Sequence, residues 1–217
     1  MVGSHHSKFT FSRTALFVVT TLTAGTANAA GYQIAFDSVG GLGRAYAGEA
    51  AIGDSAASMG RNPATMTLFD RPELSGSLIY FDASIDVTGS NALQSSKDTV
   101  PSNVVPATYY VHPLSDRLAV GLGVYSNYGL GTDFDDNFLA GDIAGDTELL
   151  SVNFNPAVAY KVNPMLSVGA GISLIYATGE VNRHFGGGAG NFGKNASDPL
   201  LSWKGEDWAF GWNAGAW

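Results

Sequence analysis

The side chains that could carry chemistry are few and scattered. His112 and His184 are the histidines beyond residue 30, and neither has a nucleophile or carboxylate at the spacing of a known catalytic or metal motif. Asp133, Asp135 and Asn137 imitate the start of a calcium loop, but Phe138 stands where the sharp turn needs glycine and Ala144 where a bidentate glutamate belongs. That stretch reads as a solvated acidic loop. Gly188, Gly190 and Gly193 match a dinucleotide fingerprint, yet Pro199 follows and no crossover helix is encoded, so a glycine-rich loop is expected there. The chain has no cysteine. No catalytic residue, metal ligand or cofactor site is therefore expected, and an enzyme is not.

Composition points the same way. Of 217 residues, 28 are glycine and only 14 % are charged, well below the usual ~25 %. The formal net charge is -8, and both basic residues before position 30, Lys8 and Arg13, lie in a segment without acidic residues. The rest is more acidic still, an unfavourable partner for phosphate backbones, and nucleic acid is excluded as a ligand. No run of 18 apolar residues exists, so no helix is expected to cross a membrane.

The long elements are strands. From Glu148 to Asn163 the even positions Leu150, Val152, Phe154, Val158, Tyr160 and Val162 are apolar, and the odd ones include Ser151, Asn153, Asn155 and Asn163. Met165 to Arg183 repeats the pattern, as do Arg117 to Tyr128 and Asp207 to Trp217; weaker alternation runs through Leu74 to Thr88 and Asn103 to Leu114. Six strands are expected. Their connections alternate between long (Gly89 to Pro101, Gly131 to Asp146, His184 to Glu206) and tight (Pro113 to Asp116, Asn163-Pro164). Short turns at one end, long loops at the other and one apolar face describe an all-β, transmembrane antiparallel β-barrel of the outer membrane. The two longest runs exceed the ~9–11 residues that cross a bilayer, so they should project beyond it.

The residues before the strands divide in two. Lys8 and Arg13, the apolar run from Ala15 and the small residues Ala27-Asn28-Ala29 form a secretory signal peptide over 1–29. Residues 30–72 are glycine-punctuated and support only short helical turns. Asn62 is a good N-cap and Pro63 suits a first helical position, so a helix start explains them by itself. Residues 73–217 form the strand region.

Several segments resemble the FadL-type family of outer-membrane long-chain fatty acid transporters: Ala30-Gly31-Tyr32-Gln33, Gly41 to Glu49, Arg61-Asn62-Pro63-Ala64, Ser126-Asn127-Tyr128-Gly129-Leu130 and Phe210 to Gly215. The resemblance implies a fourteen-stranded barrel whose N-terminal segment, residues 30–72, is a hatch of short helices plugging the lumen. Ligand would be caught at the outer loops, pass to an inner pocket beside the hatch and leave sideways through a gap in the barrel wall. It implies residue roles as well. Asn62, Pro63 and Ala64 would be the hatch element facing a kink in the third strand at Asn127 and Gly129, and Tyr32 an aromatic near the inner pocket. Arg183 would be the cation offered to the ligand carboxylate. About six strands are too few for that barrel, so an N-terminal fragment is expected.

Arg183 also admits a plainer reading. It has the odd, lumen-facing parity of its strand and adjoins Phe185, where a cation is costly unless solvated or paired, and a water-filled lumen suffices. The expected function is passive transport of long-chain fatty acids or similar hydrophobic compounds in the outer membrane of a Gram-negative bacterium. Outer-membrane lipid and the barrel-assembly machinery are the expected partners. A non-transport barrel, structural or adhesive, and an aromatic-hydrocarbon transporter of the same family are the alternatives; a plug favours transport, and Arg183 favours an acid.

Overall fold

The computed structural model describes residues 33 to 217; the expected signal peptide and Tyr32 lie outside the described residues. Seven strands are described: β1 (Glu73–Phe81), β2 (Asn103–Pro113), β3 (Leu118–Tyr125), β4 (Gly129–Thr132), β5 (Thr147–Asn163), β6 (Leu166–His184) and β7 (Pro199–Ala216). They form one antiparallel sheet in the order β1-β2-β3-β5-β6-β7, with β4 also paired to β5. Sequential neighbours pair throughout, which is the up-and-down meander of outer-membrane barrels. Among the described residues no helix is long and apolar enough to cross a membrane.

The sheet is inside-out relative to a soluble protein. On its apolar face Phe210 is 78 % and Trp212 82 % exposed, with Leu150, Val158, Tyr160 and Ile172 also exposed. On the other face Asn155 is 0 % exposed, and Ser151, Asn153 and Ser167 are buried. Such an apolar belt is costly in water and favourable in lipid.

The buried face carries residues 33–72. Helix α1 (Val39–Gly43) begins at Ser38, whose Oγ accepts the Gly41 N–H at 2.9 Å. Two 3₁₀ turns follow, Ala56–Gly60 and Pro63–Leu68, the second capped by Asn62 Oδ1 accepting the Ala64 N–H at 3.0 Å. Met59 and Met66 pack with Ala56, Ala57, Tyr109, Val111 and Ala159 in the buried core. Close seating explains some of the lumen glycines: a Cβ on Gly169 would lie 2.6 Å from Pro63 C and Ala64 N, and one on Gly121 2.6 Å from Met66 Sδ.

Three strand expectations need correction. The first strand ends at Phe81 rather than Thr88, leaving an isolated bridge from Val87 to Ser96 in the loop beyond. The last begins at Pro199 rather than Asp207. Leu200 and Leu201 are adjacent and break the alternation, but pairing with the outer end of β6 carries the strand regardless. The third run, expected to be continuous through Tyr128, is broken between Tyr125 and Gly129.

Candidate functional site

The break is a structural feature with defined edges. β3 pairs with β5 up to Tyr125 opposite Asn153, and β4 resumes with Gly129 opposite Leu150. Ser126, Asn127 and Tyr128 therefore stand where β5 offers only Ser151 and Val152, a one-residue bulge that turns the strand out of line. Ser151 holds it from one side, donating its N–H to Tyr128 O at 2.8 Å and accepting the Tyr128 N–H on Oγ at 3.0 Å.

On the other side the wall opens. The last β2–β3 ladder pair is Thr108 with Val124, whereas β2 continues beside β1 to Asn103. Asn103 to Ala107 thus have a paired edge and an open one. Pro106 falls inside this stretch, and proline without an N–H is tolerated in a sheet where a strand is locally an edge. The result is a cleft of about 320 Å³ lined largely by apolar groups, among them Val104, Val105, Pro106, Leu150 and Val152. Five residue steps separate Asn103 from Thr108, so the opening is about 16 Å long at ~3.3 Å per residue.

Gln33 and Ile34 meet the bulge. Gln33 forms a bridge to Tyr128, and the Ile34 N–H donates to Asn127 O at 2.9 Å. Ile34 is buried, and a Cβ on Gly129 would lie 3.3 Å from its Cδ1. Gly129 has no positive φ, so its small size serves the approach of Ile34, and the bend expected at this glycine lies at residues 126–128 instead. Three residues beyond Ile34, buried Asp37 pairs with Arg61 at 2.5 Å and accepts a weak bond from Tyr109 Oη at 3.4 Å. Tyr109 in turn stacks on Tyr125, the last residue of β3, with ring centroids 5.3 Å apart. Burial pushes the Asp37 carboxyl above the usual carboxylate range, against the opposing pull of Arg61.

Asn62, Pro63 and Ala64 sit elsewhere. Asn62 Nδ2 donates to Ala50 O at 2.7 Å and to Ala216 O of β7 at 2.9 Å, and Pro63–Ala64 lie on Gly169 of β6. The kink-facing element expected at Asn62–Ala64 is thus Gln33–Ile34, with Asn127 as its hydrogen-bond partner. Asn62–Ala64 anchor the N-terminal segment to β6 and β7.

Arg183 lies far from that anchor. Gly129 is level with Leu150 and Thr178, five residues short of Arg183 along β6, which places Arg183 about 16 Å nearer the outer end. From Gly169 it is fourteen residues, or about 46 Å along the strand. Its Nη1 donates to Asp146 O at 2.9 Å and Asn182 O at 2.7 Å, and its Nη2 to Thr147 Oγ1 at 3.1 Å. No carboxylate is paired with it among the described residues. Nε and one Nη2 hydrogen remain, enough for a bidentate carboxylate. Nearby in the loop, burial holds the Asp146 carboxyl above its ordinary range, with Asp133 adding and His184 opposing. Among the described residues no cluster of ligating side chains could hold a metal ion.

The comparisons with known proteins now bear on this geometry. Residues 20–217 match the family described as outer membrane protein transport protein (OMPP1/FadL/TodX). The chain belongs to this family. The OMPP1/FadL/TodX proteins are outer-membrane transporters, not enzymes. A long-chain fatty acid transport protein of Escherichia coli O6:H1 is 37 % identical over 232 residues, covering 96 % of this chain and 51 % of the relative. A Pseudomonas aeruginosa FadL homologue superimposes with a TM-score of 0.64 at 22 % identity, over 86 % of this chain and 49 % of that one. The Ralstonia pickettii toluene transporter TbuX gives 0.55 at 22 % identity, over 75 % and 48 %. The chain spans about half the length of the curated relatives it matches, and the two solved structures share its β-barrel fold.

Sequence reasoning missed Asn103, Pro106, Asp37 and Gln33–Ile34. Pro106 was the available signal, a proline inside an otherwise apolar strand. The partners of Asp37 and Ile34 are 24 and 93 residues away or more, and no local pattern encodes them.

Proposed function

We propose that this chain supplies the hatch, residues 30–72, and the first wall strands, residues 73–217, of an outer-membrane transporter for long-chain fatty acids or similar hydrophobic compounds. Ligand enters from the outer loops, descends the lumen past Arg183 and leaves sideways into membrane lipid through the cleft between β2 and the bulged third strand. The cleft carries this reading. An open strand edge exposes unpaired backbone groups to hydrocarbon at a cost of several kcal/mol each, so it persists only where it lines a cavity. Gln33 and Ile34, seated on the bulge, are the plug, Asp37 and Arg61 fasten it, and Tyr32 lies one residue before it in the chain.

Arg183 favours an acid over toluene or another hydrocarbon, because its two free guanidinium hydrogens suit a carboxylate. The route is tested by Val105→Trp, which fills the cleft from the buried face of β2. Labelled oleate uptake should fall at least tenfold while heat-modifiable gel mobility reports a folded barrel. Wild-type uptake by a folded Val105→Trp protein refutes lateral release.

A further inference from the structure

The cleft has an upper limit. Extending the β2–β3 register outward would set Asn103 opposite Gly129, and at that position the two strands are joined by one side chain. Asn103 Nδ2 donates to Gly129 O at 2.7 Å, while its Oδ1 accepts the Val104 N–H at 2.8 Å. One amide thus satisfies an orphan carbonyl on the resumed strand and an orphan N–H on the open edge. Among the described residues this is the hydrogen bond that crosses between residues 103–107 and the bulged strand.

We propose that Asn103 is a crossbar that ties the two edges of the cleft together at its outer end and hence limits the girth of what leaves through it. This rests on the lateral route proposed above. Below, the opening ends at a regular ladder pair, Thr108 with Val124, which cannot yield without unzipping β2 from β3. Above, it ends at a single amide, and beyond that amide lies a separate, more polar cleft of about 340 Å³ whose lining includes Ser102, Asp133, Asp146, Glu148 and Glu180. Asn103 borders both spaces. Its removal leaves the two edges untied outward of Thr108 and Val124, so they are free to part. A straight acyl chain slips between edges tied this closely, whereas a fused-ring tail needs them to part. Asn103 is therefore a specificity-determining residue for the girth of the tail, with no part in recognising the head group.

The test is made in the full-length protein in the outer membrane, with oleate and 12-(1-pyrenyl)dodecanoate as probes. Asn103→Ala should raise pyrenyl acid uptake at least fivefold and leave oleate uptake within twofold of wild type. Asn103→Asp keeps the volume but loses the donor and turns an acceptor on Gly129 O, so it should behave like Asn103→Ala; it also serves if the alanine protein does not fold. Val105→Trp separates the crossbar from the route. If it blocks oleate and the Asn103 variants leave pyrenyl acid uptake unchanged, the crossbar is refuted and the route stands. If it blocks neither probe, route and crossbar fall together.

Discussion

Gly169→Ala tests how tightly the N-terminal segment is seated. The added Cβ would lie 2.6 Å from Pro63 C and Ala64 N and 3.0 Å from Ala64 Cα, all backbone atoms, so no side chain can rotate away. Relief requires the turn at 62–66 to move by most of an ångström. Such a shift lengthens the bonds from Asn62 Nδ2 to Ala216 O (2.9 Å) and from Thr67 Oγ1 to Ser167 Oγ (2.8 Å) past useful range. Overpacking costs roughly 1–3 kcal/mol and each lost bond about 1 kcal/mol, which together weaken docking by about 3–5 kcal/mol. At 1.4 kcal/mol per tenfold, the undocked population rises by about two to three and a half orders of magnitude. Hydrogen exchange on the purified barrel reads this directly, since local opening is reported segment by segment. Protection over 56–68 should drop at least a hundredfold while β5 and β6 keep theirs. Gly211→Ala is the control, because a Cβ there meets only Ser173 Cβ at 3.6 Å; it should be neutral or slightly stabilising. Unchanged protection over 56–68 in a folded Gly169→Ala protein refutes the seating and the hatch role built on it.

Arg183→Ala should weaken oleate binding by roughly 10- to 150-fold, the equivalent of a charge-assisted bond worth about 1.5–3 kcal/mol, and leave octadecene binding unchanged; equal losses measured by calorimetry for both would assign Arg183 to holding Asp146 and Thr147. For Asp37 the raised carboxyl means that the docked state binds its proton more tightly than the undocked one. Docking should accordingly strengthen as pH falls from the raised value towards the ordinary carboxylate pKa, and weaken as pH rises through the same window. In Asp37→Asn, exchange of 33–40, corrected for intrinsic rates, should lose that dependence; a slope that survives places the titrating group elsewhere.

How far the fold was legible depends on the range of the interaction. Alternation over Glu148–Asn163 and Met165–Arg183 exposed both the strands and the inverted burial, because a two-residue period reports which face meets lipid without reference to any partner. Asn62 and Pro63 were legible as a helix start for the same reason, their cap being closed within two residues. The break at Ser126–Tyr128 was legible as a kink expected at Asn127 and Gly129 from the family resemblance, but not as a bulge, since it is held by Ser151 and by Ile34, both remote in sequence. Arg183 was legible in parity but not in level, because alternation fixes the face and leaves the height along the barrel to register.

Two prolines in the wall show that the opening is built in. Pro156 lies within β5 and cannot donate to the ladder, and the β5–β6 pairing skips Asn155 and Pro156. There the adjacent Asn155 supplies the missing donor: its Nδ2 reaches Ile172 O at 3.0 Å, and its neighbours Ser173 and Asn213 lie within 3.2 Å of the same nitrogen. The wall is closed by a side chain at the point of damage. Pro106 creates the same deficit in β2, yet its neighbour Val105 offers no hydrogen-bonding side chain, and the asparagine that does bridge stands three residues away at Asn103, at the rim. The same chemical repair is thus applied across one gap and confined to the edge of the other. Lipid penalises every unmended backbone group, so an apolar residue at 105, where an asparagine is used at 155, marks the cleft as a place kept open and Asn103 as its limit.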